Sequence, residues 1–306
     1  AMFAGQLQQL QLIDKTSRIE VNLYGSLSAT GRGHATDCAI LAGLMGNEPH
    51  DVAPSLMSTV LEQTTANQSL HLCGTKHIDF SLESDFHFND ETLAYHPNGL
   101  TLIAFEGGKE IYRNTYFSIG GGFVVDQAAT EETSGETENT LPYGFDTANQ
   151  LLALCEQQDL SISAIVMKNE ECWRSKEEVD AKLFEIWQAM DACIDRGLSQ
   201  TGTLPGGLEV PRRAAKLKYS LENSADNLIS SNFSALDWVN LYALSVNEEN
   251  AAGGRMVTAP TNGAAGIVPA VLRFYMRFDE NSKAEDVSRF LLAAAAVGML
   301  CKKNAS

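Results

Sequence analysis

The sequence predicts an α+β protein: an N-terminal α/β domain over residues 1–145, then an all-helical domain over 146–306. Three observations predict it. Strand and hairpin patterns stop before residue 126. Helix caps and apolar residues at 3–4-residue spacing dominate after Pro142. Between them Asp126–Thr140 (DQAATEETSGETENT) is acidic and lacks any large apolar residue, the composition of a solvated linker.

The elements follow in order. Phe3, Leu7, Leu10 and Leu12 read as the middle of an amphipathic helix, as if upstream sequence had been removed. Arg18–Tyr24 alternates polar and apolar, the mark of a half-buried strand. Tyr24–Gly46 leads from it through a glycine- and hydroxyl-rich turn into a helix over Asp37–Met45. Thr36 or Asp37 can cap that helix, and Gly46 suits its C′ position. A further helix is expected near Ser55–Gln68. Leu100–Phe105 and Glu110–Ser118 flank Glu106-Gly107-Gly108-Lys109, a hairpin signal. Gly120–Gly122 follows, where something approaches the backbone closely.

In the second half Asp146 or Thr147 can cap a helix through Leu151, Leu152 and Leu154. Ser175 and Glu178 form a capping box. The helix it opens carries Val179, Leu183, Ile186, Met190 and Ile194 and stops near Gly197. Ala235–Val246 is a helix with Trp238, Leu241 and Leu244 on one face. Ser282-Lys283-Ala284-Glu285 reads as a second box. Its helix becomes almost wholly small and apolar (LLAAAAVGML) and is expected to be buried on all sides. The sequence ends soon after it, so covering sequence is expected beyond Ser306.

Composition narrows the function. Of the 306 residues, 44% are hydrophobic and 20% charged, a globular profile. The net charge of −17 argues against nucleic acid or an anionic membrane as partner. The longest apolar run, Phe290–Cys301, is far short of the ~20 residues that span a bilayer. No basic region opens the chain as in a secretory signal. The six cysteines form no CxxC pair and no zinc spacing, as expected of free thiols in a reducing cytoplasm.

All six histidines (34, 50, 71, 77, 87 and 96) lie in the first 96 residues, so a histidine base must come from the α/β domain. His34 is the leading candidate. Its loop supplies Ser26, Ser28, Thr30, Thr36 and glycines 25, 31 and 33. Hydroxyls and N–H groups at a helix start favour a carboxylate. The local chemistry fits that reading or a capping turn with an incidental exposed histidine. His96, in His96-Pro97-Asn98-Gly99, and Ser118 are secondary candidates; each also fits an ordinary turn or strand end. In the helical half, Asn250, Thr258, Thr261 and Asn262 within Asn247–Gly266 could line a polar pocket for a small amino acid, or belong to a structured loop. Arg212 or Arg213 could pair with a ligand carboxylate or with the protein's own surface.

Four blocks, YGSLSATGRGHATDCAILAGLMGNEP, YFSIGGGFVVD, LPGGLEVPRRAA and NEENAAGGRMVTAPTNGAAGIVPAVL, closely resemble the bacterial iron–sulfur-dependent L-serine dehydratases, in the same order along the chain. The resemblance implies conversion of L-serine to pyruvate and ammonia by a cytoplasmic homodimer, without pyridoxal phosphate. It implies a 4Fe–4S cluster with one open iron as Lewis acid, His34 as the base on the α-carbon, and Thr30, His96, Ser118, Asn250, Thr261 and Asn262 around the substrate. It also implies a β-type domain like the allosteric substrate-binding domain of some phosphoglycerate dehydrogenases. Two departures stand out. The family's Ser-Ser-His-Thr segment would precede the present start, and its cluster cysteines would follow Asn304-Ala305-Ser306. None of the six cysteines matches a cluster position, and Ala265 stands where the family often has cysteine. The expectation is therefore a chain without metal ligands of its own, inactive alone. The alternatives are a dehydratase of threonine or another hydroxy amino acid, and a non-catalytic serine-sensing module.

Overall fold

A computed structural model describes residues 1–120, 122–127, 141–223, 234–258 and 261–304. Most of the expected linker, 128–140, lies outside them. The chain forms two compact units, Ala1–Thr137 and Glu138–Ser306. The architecture is α+β.

The first unit is built on a five-stranded sheet. Its strands are β1 (Arg18–Tyr24), β4 (Phe86–Asn89), β5 (Gly99–Glu106), β6 (Lys109–Ser118) and β7 (Val124–Asp126), in the order β4-β1-β5-β6-β7. Only the β1–β4 pair is parallel. The alternation of β1 sets its faces: Ile19, Val21 and Leu23 are fully buried, while the residues between them are not. Their face is covered by α1 (Met2–Gln9), α3 (Thr36–Leu44), α4 (Pro54–Asn67) and the small hairpin of β2 (Ser69–Leu72) and β3 (Lys76–Asp79). Between β5 and β6, Gly107 and Gly108 both have positive φ, +55° and +88°. That matches the two-residue turn favoured by sheet twist.

One buried polar cluster fastens α1 to the far edge of the sheet. Gln6 and Asn114 donate to the two oxygens of Asp126 at 2.7 and 2.9 Å. The Tyr112 and Tyr116 phenols donate to Gln6 Oε1. Burial, with Asp126 nearby, pushes the Tyr116 phenol well above its ordinary range.

The stretch after β1 departs from expectation. It is no open turn: α2 (Gly25–Thr30) and a 3-10 turn (Arg32–His34) occupy it, and Ala35 in the left-handed region (φ +53°) separates them from α3. The serines and threonines look turn-forming in sequence, yet Thr30 Oγ1 donates back to Ser26 O at 2.8 Å, as hydroxyls inside helices do. Neither Thr36 nor Asp37 caps α3 from outside, because the helix already starts at Thr36.

The second unit is helical: α5 (Ala148–Gln158), α6 (Ile162–Glu170), α7 (Lys176–Ser199), α8 (Ala214–Asn223), α9 (Ser234–Ala251), α10 (Asn262–Phe278) and α11 (Ala284–Asn304). Thr147 with Gln150, and Ser175 with Glu178, form reciprocal capping boxes. The expected box at Ser282 is not made. Asp286 accepts from Lys283 N at 2.9 Å, while Ser282 Oγ donates to Met276 O. Nor is α11 buried on all sides. Leu291, Leu292 and Ala296 face α6 and α7, but Val297 and Met299 are 57% and 41% exposed.

Gly197 marks where α7 and α9 cross. A Cβ there would lie 2.3 Å from Ser245 O, a backbone atom that cannot step aside. Gly197→Ala is expected to lower stability by about 1–3 kcal/mol, in the manner of an overpacked core. Thermal unfolding measures this, and an unchanged midpoint would contradict the close crossing.

Candidate active site

Register brings four chain segments to one end of the sheet. Tyr24, ending β1, pairs with Asn89, ending β4. Leu23 pairs with Leu100, and Gly99 with Phe117, so β5 begins and β6 ends there too. His96 and Ser118 therefore lie beside strand ends there, and the helix and 3-10 turn that carry Thr30 and His34 follow directly from β1.

The loops are locked together. Gly25 N donates to Glu91 O at 2.9 Å, and Gly25 lies against Pro97 so closely that a Cβ would come 2.2 Å from its carbonyl oxygen. Gly25 also has φ +52°. Asn98 joins the other two segments: its Nδ2 donates to Ser118 O at 3.2 Å and its carbonyl accepts from Ser118 N at 3.0 Å.

The two histidines are fixed in opposite senses. His34 Nδ1 is 3.0 Å from Thr30 O. A carbonyl can only accept, so Nδ1 carries a proton, and in the neutral imidazole Nε2 keeps the lone pair. In His96, Nδ1 accepts from Asn98 N at 3.1 Å, so its proton sits on Nε2. His34 presents an acceptor and His96 a donor. Arg32, in the same turn as His34, lies 4.6 Å over the Phe88 ring.

The expected anion cradle at the start of α3 is not formed there. Thr36 N donates to Gly31 O and Cys38 N to Asp37 Oδ1, so both are used within the chain. The buried Asp37 carboxylate itself occupies the helix start and repels a second anion. Arg32, exposed over the Phe88 ring, and His96 Nε2–H are two donors on these segments. Sequence reading missed Arg32 and Asn98. The only signal was their position beside the two candidate histidines.

In the helical unit Asn250 lies in the last turn of α9, and Thr258 is exposed in the segment that follows. Thr261 is the N-cap of α10, its Oγ1 accepting from Ala264 N at 3.2 Å, which leaves the hydroxyl proton free to donate. Asn262 opens α10, and its side chain lies outside the described residues. Arg212 is spent on the protein itself: Nη1 donates to buried Glu249 at 3.0 Å. Glu248 and Glu249 were not singled out in the sequence, where they fall inside the Asn247–Gly266 stretch read as a polar pocket or structured loop.

Among the described residues no three His, Cys, Asp or Glu side chains gather as a metal centre. The six cysteines are free, and burial pushes the Cys193 thiol up to about 11, far from a ready thiolate ligand.

An α/β unit presenting an oriented imidazole is thus followed by a helical unit with a polar segment before a helix start, and the matches to known proteins make this two-part chain an enzyme's. Residues 1–129 match the family model described as serine dehydratase beta chain, and residues 157–306 the one described as serine dehydratase alpha chain. Among curated proteins, L-serine dehydratase TdcG of Escherichia coli is 46% identical over 99% of this chain and 67% of its own length. The L-serine dehydratase of Streptomyces coelicolor is 46% identical over 100% of this chain and 67% of its own. That of Helicobacter pylori is 38% identical over the same shares. The chain belongs to the serine dehydratase family.

Proposed function

We propose that the chain acts as an L-serine dehydratase, turning L-serine into pyruvate and ammonia, with His34 taking the α-proton. Family membership supports the reaction. The His34–Thr30 hydrogen bond supports the residue: it holds the imidazole in the tautomer a base requires, with Nε2 open to solvent.

The reaction needs help at both ends. The α-proton of serine is weakly acidic, and hydroxide leaves poorly. Removing the proton and losing water gives an enamine, which tautomerises to an imine and hydrolyses in solution. His34 Nε2 accepts the proton. His96 Nε2–H and the Arg32 guanidinium hold the carboxylate, and Thr30 and Ser118 border the same sheet end. Asn250, Thr261 and Asn262 are the amino-acid contacts proposed in the helical unit. Cytoplasmic residence, a homodimer, and no nucleic-acid or membrane partner complete the reading. The net charge of −17 argues against a nucleic-acid or anionic-membrane partner, and no helix among the described residues is long and apolar enough to cross a membrane.

The resemblance also implies a 4Fe–4S cluster and no pyridoxal phosphate. The described residues do not fit a cluster, since no set of thiols or other ligands converges among them. This 306-residue polypeptide, reconstituted with iron and sulfide, is expected to show no stable cluster absorbance. A clean 4Fe–4S spectrum would reveal ligands in it and overturn that expectation.

A further inference from the structure

Glu248 and Glu249, near the end of α9, are 3% and 5% exposed. A carboxylate tolerates such burial only when its oxygens are paired. Asn247, Glu248 and Glu249 are successive and so point about 100° apart around the helix. Each holds a different piece of the unit. Asn247 packs on Gly266 of α10, where a Cβ would meet its carboxamide at 3.3 Å. Glu248 accepts from Arg213 N and Ala214 N at 2.7 and 3.3 Å, closing the start of α8.

Glu249 does the most. Arg196 Nε of α7 and Arg212 Nη1 donate to its two oxygens at 3.2 and 3.0 Å. The chain then folds back over it. Gly254 N donates to Glu249 O at 2.8 Å, and a Cβ on Gly254 would come 2.6 Å from Glu249 Oε2. Gly253 turns the chain with φ +74°. Arg196 Nη2 donates onward to Arg255 O. One buried carboxylate thus joins LPGGLEVPRRAA to NEENAAGGRM and seats the segment running toward Thr258 and Thr261.

We infer that Glu249 is a positioning residue: with Arg196 and Arg212 it sets the Gly253–Thr258 segment from which the helical unit addresses the amino-acid substrate. The inference rests on the reading above, that Asn250, Thr261 and Asn262 contact L-serine. It requires that loosening the carboxylate weaken substrate binding rather than only the fold.

The test is Glu249→Gln in the active enzyme. KM for L-serine is expected to rise about tenfold or more with kcat within about threefold, as when a contact shared by ground and transition states is lost. Amide hydrogen exchange at Gly254 and Arg255 should quicken. A lower kcat and melting midpoint with unchanged KM would reduce Glu249 to a structural residue and overturn the inference. If Glu249→Gln does not fold, Arg196→Gln, at the half-exposed end of the network, carries the same test. An unchanged KM in that variant overturns the inference equally. Thr261→Val separates the two claims. If it alone raises KM, the positioning role fails and the substrate contact stands. If it leaves KM unchanged, the contact reading falls and the positioning role falls with it.

Discussion

His34→Ala is expected to lower kcat about a hundred- to ten-thousand-fold, the usual worth of a positioned general base. The loss should come without unfolding. His34 is exposed and sits in a single-turn 3-10 segment, so its ring supports no core. Its imidazole is hydrogen-bonded locally, to Thr30 O four residues before it. The variant's melting midpoint should therefore match the parent's. Steady-state turnover and a thermal melt, on one preparation, decide the matter. Near-parent kcat would remove His34 from the chemistry, and a collapsed melt would make the activity loss uninformative about the base.

Gly25→Ala should injure fold and activity together. The residue is doubly constrained. Its φ of +52° suits glycine, and a Cβ would press to 2.2 Å from Pro97 O and 2.9 Å from Thr92 Cγ2. Left-handed strain and overpacking together cost about 2–4 kcal/mol. The chain can relieve the clash only by moving the 91–98 loop, which carries His96 and, through Asn98, holds Ser118. Activity should fall further than the loss of folded protein explains. Urea unfolding gives the stability change, and kcat/KM corrected for the folded fraction gives the rest. A variant that matches the parent in both would show that the loops are not coupled at Gly25.

What could be read in the sequence was local. The alternation of Arg18–Tyr24, the glycine pair at 107 and 108, and the Ser175–Glu178 box each depend on neighbours a few residues apart, and each formed. The stretch after β1 misled because Ser, Thr and Gly suit turns as well as short helices, and only the completed backbone decides between them. At α11 the helix starts at Ala284, one residue later than a Ser282 cap requires, so it is Asp286 that reaches back, to Lys283 N. The site was legible as residue types and not as geometry. That His96 and Ser118 share a sheet end with the start of α2 follows from strand register, and the histidine tautomers follow from a carbonyl and an N–H that no motif reveals. Glu249 was invisible for the same reason: its partners are 53 and 37 residues away.

The cluster around Gln6 and Asp126 has one more consequence. It ties the sixth residue to the last strand of the first unit, so that the unit's opening and closing segments are clasped side by side. The last described strand of the unit is thus held by a latch that its own first helix supplies. The family models describe the two halves as a beta chain and an alpha chain. The latch lies wholly within the half that matches the beta chain, and it closes that half's sheet edge from inside.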